Sequence, residues 1–238
     1  MDREFYQENR RKLYKKMKEN SLLVLFSGTE VRKTADECYP FYTNRNFLYL
    51  TGLEGKELVL LAQKDSEGAV RETIFLLSPD LLRERWTGAR IRADEAAQIS
   101  GIEEAEYAPQ FGEVFHQLAS GGGYGHVYLD LYREDISDRE EPAHVLLKQI
   151  RENYPYLRIG NANILIRELR TIKQPCEIEA MRRAEKITCK GITSMMKASR
   201  PGMYEYQYKA VFDYVLGQYG PQGPAFPSII SAGKNNFC

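Results

Sequence analysis

SLLVLFSG (Ser21–Gly28) and KELVLLAQKDSEGAVRETIFLLS (Lys56–Ser78) decide the fold class. The first is a compact apolar run closed by glycine, the pattern of a buried strand that ends in a loop. The second reads as two strands, Glu57 to Gln63 and Thr73 to Ser78, joined through the turn-forming residues Asp65-Ser66-Glu67-Gly68. Working outward, NFLYLTGL (Asn46–Leu53) reads as a further strand, with Phe47 and Tyr49 alternating with their neighbours. Beyond Arg90 the pattern changes. ADEAAQIS is a helix former ended by Gly101, AEYAP a short strand, and FGEVFHQLA a helix stopped by Ser120-Gly121-Gly122-Gly123. HVYLD (His126–Asp130) is another strand, PAHVLLKQIREN (Pro142–Asn153) a helix with proline in its first turn, and ANILIRELRTIK leads out of this region. Strands and helices in this order, with an antiparallel hairpin among them, predict an α/β domain: a mixed sheet covered by helices.

Gln174-Pro175 marks an elbow, because proline opens a helix and biases the residue before it toward extended backbone. The boundary is placed so that residues 1–172 form one domain and 173–238 begin another. In the second segment Ile178, Met181, Ala184, Ile187, Ile192 and Met195 recur near helical spacing, Arg200-Pro201-Gly202 ends that helix, and Tyr204 to Tyr219 forms the next. An initial strand is expected around Phe226 to Ile230, with apolar faces that need a sheet to rest on.

The chain of 238 residues has 33 basic and 33 acidic side chains and a pI near 6.9, so no global field attracts nucleic acid or an anionic membrane. The basic run Arg10, Arg11, Lys12, Lys15, Lys16 and Lys18 shares a stretch with Tyr6, Leu13, Tyr14 and Met17 at helical spacing and reads as a solvated helix face. No apolar stretch approaches a membrane span and MDREFYQENRRK lacks the apolar core of a signal peptide, so a cytoplasmic location is expected. Cys38, Cys176, Cys189 and Cys238 lie far apart without a CxxC pair, which suggests reduced thiols.

Candidate chemistry is sparse. The triple glycine lacks the spacing and the lysine of a phosphate loop. His116, His126 and His144 fall on three different elements, and the contexts of His126 and His144 suit satisfied structural histidines. The acidic pairs Asp36-Glu37, Asp94-Glu95, Glu103-Glu104 and Glu140-Glu141 sit in loops or at helix starts, where capping explains them. Asp130, at a strand end, is better placed, but one carboxylate is not a ligand set. No catalytic or metal-binding residue is assigned to this chain.

Two groups of motifs carry a resemblance. In the first half these are Ser27-Gly28, Arg32, Asp36, Tyr39-Pro40-Phe41, Asn46-Phe47, Tyr49 and Leu50-Thr51-Gly52, followed by Glu84-x-Trp86-x-Gly88-x-Arg90. In the second they are Leu169-Arg170-x-Ile172-Lys173, Glu177-Ile178, Met181-Arg182-Arg183-Ala184, Arg200-Pro201-Gly202-Met203-Tyr204-Glu205 and Phe226-Pro227-Ser228-Ile229-Ile230-Ser231-Ala232-Gly233. In order and spacing they resemble the Xaa-Pro aminopeptidase (aminopeptidase P), prolidase and creatinase family over nearly the whole chain. Tyr42 departs from the arginine that many relatives carry at that position.

The resemblance implies a creatinase-type amino-terminal domain with a mixed sheet, then an incomplete pita-bread (α+β) catalytic domain. It implies removal of the residue that precedes proline from a peptide, by an enzyme with two manganese ions per active site, zinc or cobalt being possible. The family's metal ligands follow the point that Cys238 reaches, so no metal is expected bound to this chain and it alone is expected inactive. Substrate contact is implied for Trp86, Asn46 and Arg90, with Trp86 at the active-site mouth of a neighbouring subunit; a proline-containing peptide and a homo-oligomer are therefore the implied partners. A prolidase acting on dipeptides is a variant of this reading, and creatinase without metal a weaker relative. The alternative from another class is a non-catalytic amino-terminal domain that serves as an oligomerisation or binding module.

Overall fold

The structure, a computed structural model, describes residues 1–236, so Cys238 lies outside the described residues. The chain divides into two units, Met1–Ile172 and the segment from Lys173 onward. In the first, α1 (Arg3–Lys16) leads to β1 (Ser21–Phe26), a small hairpin of β2 (Arg32–Thr34) and β3 (Glu37–Cys38), α2 (Arg45–Thr51), β4 (Val59–Lys64) and β5 (Val70–Leu76). Then come α3 (Leu81–Thr87), α4 (Ala93–Ser100), β6 (Glu104–Tyr107), α5 (Phe111–Ser120), β7 (His126–Leu129), α6 (Pro142–Asn153), β8 (Arg158–Asn161) and α7 (Ala162–Thr171).

Six strands form one mixed sheet in the order β6-β5-β4-β1-β7-β8. β4 is antiparallel to both β1 and β5, whereas β5–β6, β1–β7 and β7–β8 are parallel pairs. Five strands therefore share one direction and β4 opposes them. The outer strands β6 and β8 have four residues each, and β6 carries Glu104 and Glu106 with Glu104 paired to Arg71 at 2.7 Å.

Both faces of the sheet are covered, which explains the unbroken apolar run of β1. Leu23 and Leu25 join Leu60, Ala62, Ile74 and Leu76 on the face packed by α1, α2, α4 and α7. Leu22 and Val24 join Val59, Leu61, Phe75, Val127 and Leu129 on the other, beneath Phe115 of α5 and Leu146 and Ile150 of α6.

The stretch predicted as a strand at Asn46–Leu53 is instead helix α2. The Asn44 side chain accepts from the Asn46 and Phe47 N–H groups at 2.9 and 3.0 Å, a helix N-cap, and Gly52 closes the helix in the left-handed region at φ 71°. Its last carbonyls find donors on α1: Asn9 Nδ2 reaches the Tyr49 carbonyl at 3.2 Å and Arg10 Nη1 the Leu50 carbonyl at 2.8 Å. Phe47, Tyr49 and Leu50 are all buried, which suits a helix lodged in a core rather than an alternating strand.

Arg10 also corrects the reading of α1 as a wholly solvated basic face. It is 1 % exposed, and its Nε and Nη2 hold the two Glu72 oxygens at 2.7 and 3.2 Å. Tyr14 Oη donates to the same carboxylate at 2.7 Å; burial first, and then the Glu72 charge, raises the phenol's pKa well above its ordinary value, so it remains a donor. Lys64, likewise buried, donates to the Tyr14 and Met17 carbonyls at the carboxyl end of α1, where a cation is favoured.

The histidines differ from the satisfied groups expected. Nε2 of both His126 and His144 is buried with no hydrogen-bond partner among the described residues. Burial lowers both pKa values, reinforced by Lys18 and Arg158 at His126 and by Arg133 at His144, where Glu141, Glu140 and Asp130 pull the other way.

In the second unit α8 (Pro175–Ala198) and α9 (Glu205–Gly217) pack where Gly191 meets the Phe212 ring; a Cβ there would lie 2.6 Å from that ring. Gly191 is the only buried position among the described residues of this unit. The segment Phe226–Ile230 is not a strand, because the unit contains no described strand to share a ladder with it; Phe226 and Ile229 stay 70 % and 85 % exposed.

Three outcomes follow from this packing. Arg10→Met is expected to cost about 3–5 kcal/mol in urea unfolding, because it strands a partly buried carboxylate, whereas R10M combined with E72M recovers most of it; equal midpoints for the single and double variants would contradict the pairing. An unfolded histidine titrates near 6.5 and these two titrate lower when folded, so the unfolded chain takes up protons first. Their contribution is intact above that pH and lost as pH falls toward the folded values, and His126→Gln should flatten the fall in midpoint between pH 7.5 and roughly 5.5. In amide exchange, β1 and β4 should be the slowest to exchange, with α8, α9 and residues 226–230 faster.

Candidate functional site

Because five strands run the same way, the residues that leave β1, β5, β6, β7 and β8 all emerge at one edge of the sheet. The chain builds outward from β1 through β4, β5 and β6, then crosses to add β7 and β8 on the other side. The crevice between the carboxyl ends of β1 and β7 is thus a topological switch point, where open α/β sheets commonly bind ligands.

Asp130, the first residue after β7, lies at this point. Its Oδ2 accepts from Asn46 Nδ2 at 2.8 Å and from Asn44 Nδ2 at 3.5 Å, and its Oδ1 accepts from Asn163 Nδ2 at 2.9 Å. Arg170 Nη1 donates to Asn46 Oδ1 at 2.7 Å, and its guanidinium lies over the Tyr49 ring with 5.9 Å to the centroid. Asn161 caps α7 through the Asn163 N–H at 3.0 Å and also accepts from the Leu131 N–H at 3.3 Å. The carboxylate therefore sits between the amino ends of α2 and α7, where both helix dipoles favour a negative charge. Beside it is a cleft of about 240 Å³ lined by Phe26, Gly28, Asn44, Asp130, Tyr132, Glu141, Pro142, Ala143 and His144.

The Trp86 element follows β5. Asp80 caps α3 through the Arg83 N–H at 3.1 Å, and Glu84 accepts the Asp80 N–H at 2.8 Å and pairs with Arg92 at 2.7 Å. Hydrogen bonding from Arg92, then from the Asp80 backbone, holds the Glu84 carboxyl below its ordinary pKa. Arg90 donates to the Ser78 carbonyl and lies 3.9 Å from Asp80. Tied at both ends, α3 buries none of its residues: Trp86 is 91 % exposed, and Leu81 and Leu82 are 73 % exposed.

Of the three residues singled out from the sequence, Trp86 and Arg90 belong to this one element. Asn46 belongs to the Asp130 cluster after β7, a strand three positions along the sheet from the β5 that leads to the Trp86 element. Asn44, Asn163 and Arg170 were not foreseen. Asn44 is the N-cap of α2, a legible signal, and Asn163 lies in the first turn of α7 just after its cap Asn161, whereas Arg170 joins only through folding. Among the described residues no three His, Cys, Asp or Glu side chains are grouped so that they could hold a metal ion. His116 is remote from the cluster in role as well, its Nδ1 bonded to Tyr154 Oη at 2.8 Å.

The family model "Aminopeptidase P, N-terminal domain" matches residues 6–128 and "Metallopeptidase family M24" matches residues 179–237. The Xaa-Pro aminopeptidase of Escherichia coli is 29 % identical over 99 % of this chain and 54 % of its own length, and Xaa-Pro aminopeptidase 3 of Homo sapiens is 24 % identical over 90 % and 42 %. A solved structure assigned as an aminopeptidase P from Bacillus anthracis superposes with TM-score 0.95 at 33 % identity, covering 99 % of this chain and 56 % of that one. Aminopeptidase P from E. coli with the inhibitor Pro-Leu gives TM-score 0.83 at 27 % identity, covering 95 % and 52 %. The chain spans about half the length of the curated relatives it matches. Since the amino-terminal-domain model covers more than half of its residues and the mixed sheet superposes on these solved structures, the chain belongs to the aminopeptidase P family.

Proposed function

We propose that this chain frames the active site of a cytoplasmic, oligomeric, metal-dependent Xaa-Pro aminopeptidase, with residues 1–172 as its amino-terminal domain and the segment from 173 as the start of the catalytic one. The observation that carries the reading is the ordered match of both units to one architecture over nearly the whole chain. No helix among the described residues is long and apolar enough to cross a membrane, in keeping with a site that meets peptides in water. The family's divalent metal, proposed to be manganese with zinc or cobalt as substitutes, finds no ligand set among the residues described here. We assign its ligands to the remainder of the catalytic domain, since this chain spans about half the length of the relatives it matches.

What these residues do is positional. A bond to proline lacks the amide N–H and carries a rigid ring, so the substrate cannot be held as an ordinary added strand and selection must come from shaped surfaces. Trp86, an apolar side chain held out by the Glu84 and Arg90 ties, is proposed to supply one such surface to a neighbouring subunit. Arg90 then acts by orienting that element. Asn46 acts by locking α2 to Asp130. The alternative reading is a non-catalytic oligomerisation or binding module.

The two readings separate in one assay. The chain supplied with the remaining catalytic polypeptide should release the first residue of a Xaa-Pro-Yaa tripeptide but not of a Xaa-Ala-Yaa control, and a chelator should abolish the release. Trp86→Ala should lower kcat/KM about tenfold, mainly through KM, with Tm unchanged because the side chain is exposed. Absence of prolyl-peptide cleavage in the metal-loaded longer protein would sink the enzyme reading in favour of the module.

A further inference from the structure

Helix α3 has seven residues, and of these Glu84 alone is not exposed to solvent. Isolated helices shorter than about 12 residues are marginal in water, and α3 has no packed apolar face to make up the difference. Its helical state therefore rests on polar ties. Asp80 caps its start, Gly88 closes its end at φ 87°, and Arg90 returns to Ser78 and Asp80, before the helix begins.

The remaining tie is the Glu84 side chain, which is 9 % exposed. Its Oε1 accepts the Asp80 N–H at 2.8 Å and Arg92 Nη1 at 3.2 Å, and its Oε2 accepts Arg92 Nη2 at 2.7 Å. The first bond returns to the residue that caps the helix, so cap and carboxylate serve each other reciprocally. The other two form a two-pronged pair, the arrangement in which guanidinium and carboxylate define each other's geometry most closely. Arg92 is not part of α3. It stands at the start of α4, which Ala96 and Ser100 anchor in the core. The carboxylate thus joins a strap that packs on nothing to a helix that is fixed, and Trp86 follows it by two residues on the same strap.

We propose that Glu84 is a positioning residue: its pair with Arg92 is a latch that keeps α3 helical and Trp86 aimed, and opening the latch turns the Trp86 surface into a loose strap. The consequence for catalysis rests on the peptide-selecting role given to Trp86 above, whereas the latch itself is complete within residues 1–172.

Trp86 is the only tryptophan of the chain, so its fluorescence reports on α3 directly. In the full chain, Glu84→Gln keeps the size and an acceptor for Asp80 but removes the charge that Arg92 grips, and the anisotropy of Trp86 is expected to fall. Arg92→Met, a change outside α3, should lower it to the same level, and the double variant no further, because both open one latch. Arg92→Lys, which keeps the charge without the fork, should fall between. The unfolding midpoint should hold in all of them, since α3 adds nothing to the core. In the longer, metal-loaded protein Glu84→Gln should raise KM for a Xaa-Pro-Yaa tripeptide about fivefold with kcat kept. Unchanged anisotropy in folded Glu84→Gln and Arg92→Met, additive losses in the double variant, or a midpoint that falls with the anisotropy would each overturn the latch. Lowered anisotropy with unchanged KM would overturn the positioning role. A longer protein that cleaves no prolyl peptide would instead count against the reading of function above, and the anisotropy would still decide the latch.

Discussion

The first unit depends on β1 being covered on both faces. A strand with no polar side forces helices above and below the sheet, and that two-sided cover allows long-range parallel pairing to β7 while β4 returns antiparallel. The direction shared by five strands then gathers their exits along one edge. The Asp130 cluster, the Trp86 element and the cleft at α6 are all consequences of that alignment, although they draw on residues as distant as Asn44 and Arg170.

Helix ends are the currency in which this fold is tied together. α2 is capped by Asn44 at its start and by Asn9 and Arg10 from another helix at its finish, while Lys64 reaches the carboxyl end of α1 from a strand. Asp130 serves the amino ends of α2 and α7 at once. The ties from Asn44, Asn9, Arg10 and Lys64 satisfy backbone groups of helix ends, whereas Asp130 holds the side-chain amides of Asn46 and Asn163, so polar side chains in this core act mainly on geometry. Arg10 and Glu72 are the most deeply placed example, a charge pair that registers α1 against β5.

Much of this was legible in the residues. The β4–β5 hairpin, the helices closed by Gly101 and by the glycine run, the proline-led α6 and the elbow near Gln174 follow from local signals that tertiary packing did not overrule. NFLYLTGL did not, because four consecutive apolar residues fit a strand and a buried helix equally, and the decision was made by an N-cap upstream and by donors on α1. α3 carried no periodic signal because it buries nothing, and RIGN of β8 is too short and polar to announce a strand. The family motifs marked Trp86, Asn46 and Arg90, but only folding revealed that two of them are occupied with internal ties. Arg10 was misjudged for a simple reason: its partner Glu72 is 62 residues away.

The short outer strands have a final consequence. A sheet of this width ends in unsatisfied backbone groups that could template growth between molecules, yet β6 offers four residues with two glutamates and β8 offers four that begin with Arg158. Docking another backbone on either flank would desolvate charge for little ladder in return. Fibrillar propagation is thereby discouraged at both margins, while the apolar interior strands stay sealed between neighbours.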